Sequence, residues 1–299
     1  MLKPYEGPAR VLVGFDGSDD SSRALAYAID EAKARNAELV LVHAVDDTVL
    51  NSAWGVVFDP AAIKAAAAEM LAGGVTEAVN AGLPTDRVRT DVVLGNPAAA
   101  LTRLSENASL IVVGRRSMSG GERVFVGSTA VGVAGAAHCP VIMVSDSGRP
   151  HGQRSGLVGV AVDSAARGTI ALEWALQECR RRGGSVVVLS VCRAPHGRLF
   201  HTGQPTQDQQ DAAVAVTRDR ISEMVAPYAS RFPEVPVDIR VSYGSALDIL
   251  VAKSDELDLL VLEVHASFPT YSVGGVIRGL MTHGRCPIGT IRAKDSHGS

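Results

Sequence analysis

The sequence has almost no charge bias. Its 29 lysines and arginines stand against 32 aspartates and glutamates, a net charge of −3, so there is no cationic excess to hold a phosphate backbone. Aromatic residues are only 4% of the chain, too few to build stacking platforms for single strands. No nucleic acid is expected as a partner. No apolar run approaches the roughly 20 residues that span a bilayer, and Met1-Leu2-Lys3-Pro4-Tyr5-Glu6 lacks the apolar core of a secretory leader. No membrane association is expected, and the expected location is cytoplasmic. The four cysteines, Cys139, Cys179, Cys192 and Cys286, contain no C-x-x-C pair, which suits reduced, buried thiols better than a disulfide or a metal site. Also missing are G-x-x-x-x-G-K-[ST] and any G-x-G-x-x-G after a strand, so neither a P-loop ATPase nor a dinucleotide-dependent oxidoreductase is supported. Ser119-Gly120-Gly121 faintly echoes the phosphate loop of ATP pyrophosphatases, but that loop would follow the first strand, not the fourth.

What is present is one unit written twice. Asp16 in Val13-Gly14-Phe15-Asp16 matches Asp163 in Val160-Ala161-Val162-Asp163, 147 positions later. Leu39-Val40-Leu41-Val42 matches Val186-Val187-Val188-Leu189, and Cys139-Pro140 matches Cys286-Pro287, at the same offset. Between them the offset is 149, pairing Gly95 with Gly244 and Leu110-Ile111-Val112-Val113-Gly114 with Leu259-Leu260-Val261-Leu262-Glu263. The second copy therefore lacks two residues between Glu263 and Cys286. Two domains follow, residues 1–147 and 148–299, each of ordinary size.

Within each copy the pattern alternates strand and helix. In the first, strands are expected near 10–16, 38–45, 88–94, 109–114 and 140–144, with helices over 21–35, 61–81, 97–107 and 127–137. The runs Val11-Leu12-Val13 and Leu110-Ile111-Val112-Val113 are continuous rather than alternating, as parallel strands covered on both faces require. Asp59-Pro60 and Asn96-Pro97 are helix starts. The fold class is α/β, two tandem doubly wound parallel-sheet domains with right-handed crossovers, joined by a Gly/Ser/Pro/Arg-rich linker over 145–155. The second copy has a Pro-rich interruption from Pro227 to Pro236.

Such sheets bind ligands beyond the carboxyl ends of their strands, where the strand order reverses. Asp16 ends the first strand there, and Gly114 the fourth. Arg115-Arg116-Ser117 and the rest of a 12-residue loop follow, before Gly127-Ser128-Thr129 open the last helix. That loop exceeds the roughly 4 to 6 residues usual in compact folds. Small residues at 114, 117 and 127 let backbone approach a phosphate, the helix start offers N–H groups and a favourable dipole, and Ser128 and Thr129 add hydroxyls.

These segments resemble the universal stress protein family over nearly the whole chain. Its nucleotide-binding members carry G-x2-G-x9-G-[ST] after the fourth strand, and the first copy reads Gly114-x2-Ser117-x9-Gly127-Ser128, with one glycine replaced by serine. The resemblance implies the family's adenine nucleotide alpha hydrolase-like fold and an ATP site made of Gly14, Asp16, Ala44, Val113, Gly114, Arg116, Ser117, Gly127, Ser128 and Thr129. Asp16 would lie near the nucleoside and Ala44 near the base, with Mg2+ an accessory. Family domains pair through their last strands, here Val141-Ile142-Met143-Val144 and Ile288-Gly289-Thr290-Ile291, so the resemblance also implies intrachain pairing of the two copies and a homodimer of chains.

The second copy departs from this pattern. Glu263 replaces Gly114, Ala266 replaces Ser117, Pro269 lies in the loop, and Gly274-Gly275 arrive two residues early. A carboxylate where a phosphate should pass is repulsive, so no ATP is expected there. Plainer readings stand beside the functional ones. Asp16-Gly17-Ser18 also reads as a turn with Asp or Ser capping the next helix, and Gly127-Ser128 as a bare helix start. Arg115, Arg116 and Arg123 read either as phosphate ligands or as solvated surface residues. His43 and His138 read as packed or exposed histidines, since no nucleophile accompanies them. With no catalytic residues and no metal set in view, the expected function is a regulatory ATP-binding stress-response protein, a sensor rather than an enzyme, with at most slow hydrolysis. The alternative is a nucleotide-free family member acting as a dimeric interaction scaffold.

Overall fold

The computed structural model describes residues 9–45, 60–115, 126–145, 155–192, 205–265 and 273–293. The chain separates into two compact units: Met1–Gly148 with Val264–Gly274 and Gly289–Ser299, and Arg149–Glu263 with Gly275–Ile288.

In the first unit the described elements run β1 (Arg10–Gly14), α1 (Asp19–Arg35), β2 (Glu38–Val45), α2 (Pro60–Asn80), β3 (Val88–Leu94), α3 (Pro97–Leu104), β4 (Leu110–Gly114), α4 (Ser128–Ala136) and β5 (Val141–Val144). Their order in the sheet is β3-β2-β1-β4-β5, and every pair in that order is parallel. Val11, Val13, Ile111 and Val112 are wholly inaccessible, which is why these strands read as unbroken apolar runs. The order reverses between β1 and β4, as the doubly wound pattern requires.

Local chemistry sets the helix ends. Ser18 caps α1, its Oγ accepting from Ser21 N at 3.1 Å, and Asn36 closes it in the left-handed conformation with φ 51°. Asp19 and Asp20 lie in the first turn and Lys33 and Arg35 in the last, each sign matched to the helix dipole. Ala24, Leu25 and Ala28 bury its inner face. The helix begins two residues ahead of the sequence expectation because the Ser18 cap lies outside the apolar periodicity.

The second unit holds β6 (Leu157–Val162), α5 (Thr169–Arg182), β7 (Ser185–Cys192), α6 (Gln207–Arg231), β8 (Val237–Tyr243), α7 (Ala246–Ser254), β9 (Leu259–Val264) and α8 (Gly275–His283). Its strands run in the order β9-β6-β7-β8, again parallel. The last strand, β10 (Ile288–Arg292), is counted with the first unit from Gly289 onward and follows β5 in the sheet order.

The repeat persists in the hydrogen bonds. Ser105 Oγ accepts from His138 N at 2.8 Å, and Ser254 Oγ from Arg285 N at 2.9 Å, so a serine at the end of the third helix of each copy holds the turn before Cys-Pro. Arg35 donates to Glu31 at 3.1 Å and Arg182 to Glu178 at 3.3 Å. Both carboxylates are almost fully buried, at 1% and 2% exposure.

One expected boundary moves. Pro227 does not interrupt the chain but lies inside α6, which runs on to Arg231. A proline there surrenders only the bond to the carbonyl four residues earlier. Buried Val225 before it and buried Phe232 after it hold the helix against the sheet.

Candidate functional site

The strand ends at the β1/β4 reversal bring together most of the residues singled out from sequence. Gly14 pairs with Val42, Ala44 with Val93, Val113 with Met143 and Gly114 with Val144. Beyond the strand, Phe15 N donates to Val42 O at 2.9 Å. His43 bonds back through Nδ1 to Phe15 O at 2.8 Å, and because a carbonyl only accepts, Nδ1 is the donor. His43 is thus half-buried and fixed at the β1/β2 end, beside Ala44. The sequence reading of His43 as a packed or exposed histidine agrees with this half-buried, hydrogen-bonded placement.

Asp16 sits in the turn between β1 and α1. Its Oδ1 accepts from Ser18 N at 3.0 Å and Ser18 Oγ at 2.6 Å, and Ser18 in turn caps α1. The turn reading of Asp16 is therefore realised, and the carboxylate orients the cap.

The loop after β4 is fastened at both ends. Arg115 N donates to Val144 O at 2.8 Å, and Arg115 O accepts from Gly127 N at 2.7 Å, so the chain leaves the strand and returns to the same residue. Arg116, Ser117 and Arg123 lie outside the described residues. Arg115 does not: its side chain is buried at 3% exposure, so it is not a solvated surface arginine. Gly127 takes the N-cap position of α4 with φ −62° and ψ 141° and supplies no side-chain cap. By contrast α1 is capped by Ser18 and α3 by Asn96, whose Oδ1 accepts from Ala99 N at 3.1 Å. The first N–H groups of α4, beginning at exposed Ser128 and half-buried Thr129, have no such acceptor from Gly127. A helix N-terminus of this kind leaves N–H groups without partners inside the helix.

Gly114 answers to a neighbour within the protein. A Cβ there would stand 2.8 Å from the Asp20 carbonyl carbon and 2.9 Å from its oxygen, so the first turn of α1 packs directly on the bare strand end. Gly14 is nearly as tight, 3.2 Å from Val113 Cγ1 and 3.3 Å from Leu101 Cδ1.

At the equivalent strand end of the second unit, Glu263 Oε2 accepts from Ile170 N at 3.1 Å. The N-cap residue of α5 is Gly168, which offers no side chain, and the carboxylate from β9 fills that role. The helix correspondingly starts at Thr169, three residues later than the repeat offset from Asp19 would place it, and Ala166 is left-handed with φ 60°. Asp163 is spent on the same turn, accepting from Ala165 N at 3.0 Å and Arg167 N at 2.9 Å. Ala266 and Pro269 lie outside the described residues.

Two of the thiols have pKa values raised by burial. Burial pushes Cys139 up to about 12 against the opposing charge of Arg35. Cys179 is also pushed up to about 12, by burial and then by Glu178. None of the four cysteines is in a disulfide, and all are buried. Among the described residues no cluster of three metal-ligating side chains occurs, and no helix is long and apolar enough to cross a membrane.

The strand order thus defines a doubly wound α/β protein whose first unit reverses between β1 and β4. The sequence model of the universal stress protein family matches residues 8–145 and again 157–292. The chain belongs to the universal stress protein family, in tandem form. It is 30% identical over 263 residues to a universal stress protein of Mycobacterium tuberculosis, covering 87% of this chain and 90% of that one. A second universal stress protein of the same organism is 41% identical over 149 residues, 49% of this chain and 48% of the relative. The crystal structure of a universal stress protein from Archaeoglobus fulgidus superposes with a TM-score of 0.69 at 18% identity, covering 96% and 97% of the two chains, which shows the fold.

Proposed function

We propose that the first repeat binds ATP as a regulatory ligand and that the protein is a stress-response sensor rather than a catalyst. The observation that carries this reading is the α4 N-terminus, left without a side-chain cap by Gly127 at the point where strand order reverses. Ser128, Thr129 and the N–H groups behind them would take the phosphates. Gly14, Asp16, Ala44 and Val113 at the neighbouring strand ends would take the nucleoside, with Arg116 and Ser117 completing the loop. Mg2+ would be held by the phosphates, as the ligand's companion. The bonds of Asp16 to Ser18 commit it to the turn, which suits a group that orients a ligand better than one that activates water. Binding without turnover lets the ligand change the population of a loop conformation without being consumed. A cytoplasmic homodimer is part of the same reading.

Titration calorimetry with ATP and Mg2+, beside GTP, tests it. ATP should bind more tightly than GTP, Gly127→Ala should weaken it by about tenfold, equivalent to ~1.4 kcal/mol, and Gly274→Ala should leave it unchanged. No heat with either nucleotide at millimolar concentration overturns the reading. Rapid multiple turnovers of phosphate release, abolished by a substitution in the first repeat, would make the protein an enzyme.

A second reading has its own support. Gly114 is accounted for by Asp20 and Asp16 by Ser18, so both residues have reasons to be present without a nucleotide. On that reading the protein is a dimeric interaction scaffold, and a dimer indifferent to ATP is its signature.

A further inference from the structure

Helix α4 is short and made of small residues, and Gly132 through Ala136 are all buried. The last carbonyls of any helix lack partners within it, and in a buried place they need them. Val133 O is met by Ala137 N at 2.9 Å. The next N–H along the chain, that of His138, would continue the ladder to Ala134 but turns away to Ser105 Oγ. The two carbonyls that follow are met from elsewhere. Ala134 O accepts from Thr290 Oγ1 at 3.4 Å, and Gly135 O accepts from Arg292 Nη1 at 3.0 Å. Both donors stand on β10, in the part counted with the first unit, and Thr290 is buried to 1% exposure.

In the sequence these donors belong to the second repeat. Their equivalents in β5, 147 positions earlier, are Met143 and Ser145, and a methionine has nothing to donate. The Thr-x-Arg pair is therefore not matched in the first copy, where Met143 and Ser145 stand at those positions. Helix α4 has an N-terminus without a side-chain cap from Gly127 and a C-terminus met by a hydroxyl and a guanidinium. A cation at the C-terminus and an anion at the N-terminus stabilise the same dipole. A helix of nine residues is too short to hold together by itself in water, so the order of its donors depends on what holds its far end.

We infer that Arg292 and Thr290 are positioning residues for the nucleotide site, clamping the far end of α4 so that its N-terminal N–H groups are preorganised, and that ligand occupancy and the seating of β10 are linked. The inference rests on the ATP reading for its ligand, but the clamp itself does not. Linkage makes the effect reciprocal: if the clamp tightens ligand binding, the ligand tightens the clamp.

The test uses the full chain with Arg292→Met, Arg292→Lys and Thr290→Val. Amide hydrogen exchange is followed over residues 128–136 without nucleotide, and Mg-ATP is titrated by calorimetry. Arg292→Met should raise exchange in α4 while leaving β2 protected, and should weaken ATP by about fivefold. Arg292→Lys should recover most of both, and Thr290→Val should give a smaller change in the same direction. In the wild type, ATP should slow exchange at the C-terminal end of α4. Unchanged α4 exchange in Arg292→Met, or a loss of protection shared equally by β2, overturns the clamp. So does undiminished ATP affinity in a variant whose wild type binds. A wild type that takes up no ATP overturns the ATP reading instead, and the ligand-free exchange comparison then supports or overturns the clamp alone.

Discussion

The two repeats end their fourth strands differently, and each ending is answered by the helix that follows the first strand. Gly114 has no side chain, so α1 packs its Asp20 backbone against the strand end and takes its cap from Ser18 two residues before. Glu263 has a long one, so α5 starts later, Ala166 turns left-handed, and the carboxylate itself caps the helix at Ile170 N. The same strand position is a site of close approach in one copy and a cap in the other. In the second copy a later helix start goes with a carboxylate held at the helix N-terminus, while in the first copy the strand end stays bare and Ser18 supplies the cap.

The sharpest way to break this comparison is to transplant the residue. Gly114→Glu places a Cβ within 2.9 Å of Asp20 backbone atoms, and the Ser18-capped turn holds α1 where it is. A loss of about 3 kcal/mol in urea unfolding is expected, typical of forced overpacking, together with loss of ATP binding. An unchanged midpoint would show that the close approach is no constraint. The reverse change, Glu263→Gly, should not create an ATP site, because the following loop remains two residues short.

A smaller difference separates the buried ion pairs. Glu178 is held by Arg182 and also by Arg181, whose Nη1 reaches both carboxylate oxygens at 2.8 Å. Arg35, itself only 8% exposed, reaches Glu31 at 1% exposure. Breaking a buried pair costs about 3 kcal/mol or more, because a charge stays behind. Arg35→Met, which removes a guanidinium only 8% exposed, should therefore cost more than Arg182→Met, whose guanidinium is 30% exposed and leaves Arg181 on Glu178. Chemical denaturation of the two variants measures the difference, and equal losses would mean the second arginine contributes nothing.

Much of the fold was legible. Residues 110–113 and 186–189 are unbroken apolar runs, which only strands covered on both faces tolerate, and the 147-residue offset located the second copy without further information. Helix α6 misled because proline composition says nothing of anchors such as Val225 and Phe232. The chain positions of Asp16, Ala44, Gly114 and Gly127 were legible because each lies at or just beyond a strand end or at a helix start. Their neighbours were not. Asp20 against Gly114, Glu263 against Ile170 and Arg292 against Gly135 join residues up to 157 apart, and no local pattern announces such contacts. Glu263 in particular read only as a repulsive charge, whereas an anion is repulsive or stabilising according to what it faces, and here it faces a helix N-terminus.

That last distinction gives the smallest and most specific measurement. Ser18 and Glu263 cap equivalent helices, one from the adjoining turn and the other from a strand 93 residues away. Either cap replaced by alanine should cost about 1 kcal/mol, with amide exchange rising at Ser21 in Ser18→Ala and at Ile170 in Glu263→Ala. The two losses should part company with salt. A hydroxyl cap is a neutral hydrogen bond, whereas the carboxylate adds a charge acting on the helix dipole, and salt screens that part over roughly 10 Å at 0.1 M. The cost of Glu263→Ala should therefore shrink at high ionic strength while that of Ser18→Ala holds steady, and Glu263→Gln should lose only the salt-sensitive share. If exchange at Ile170 does not respond to Glu263→Ala, the carboxylate is not the cap. The later start of α5 would then rest on the Asp163 turn alone.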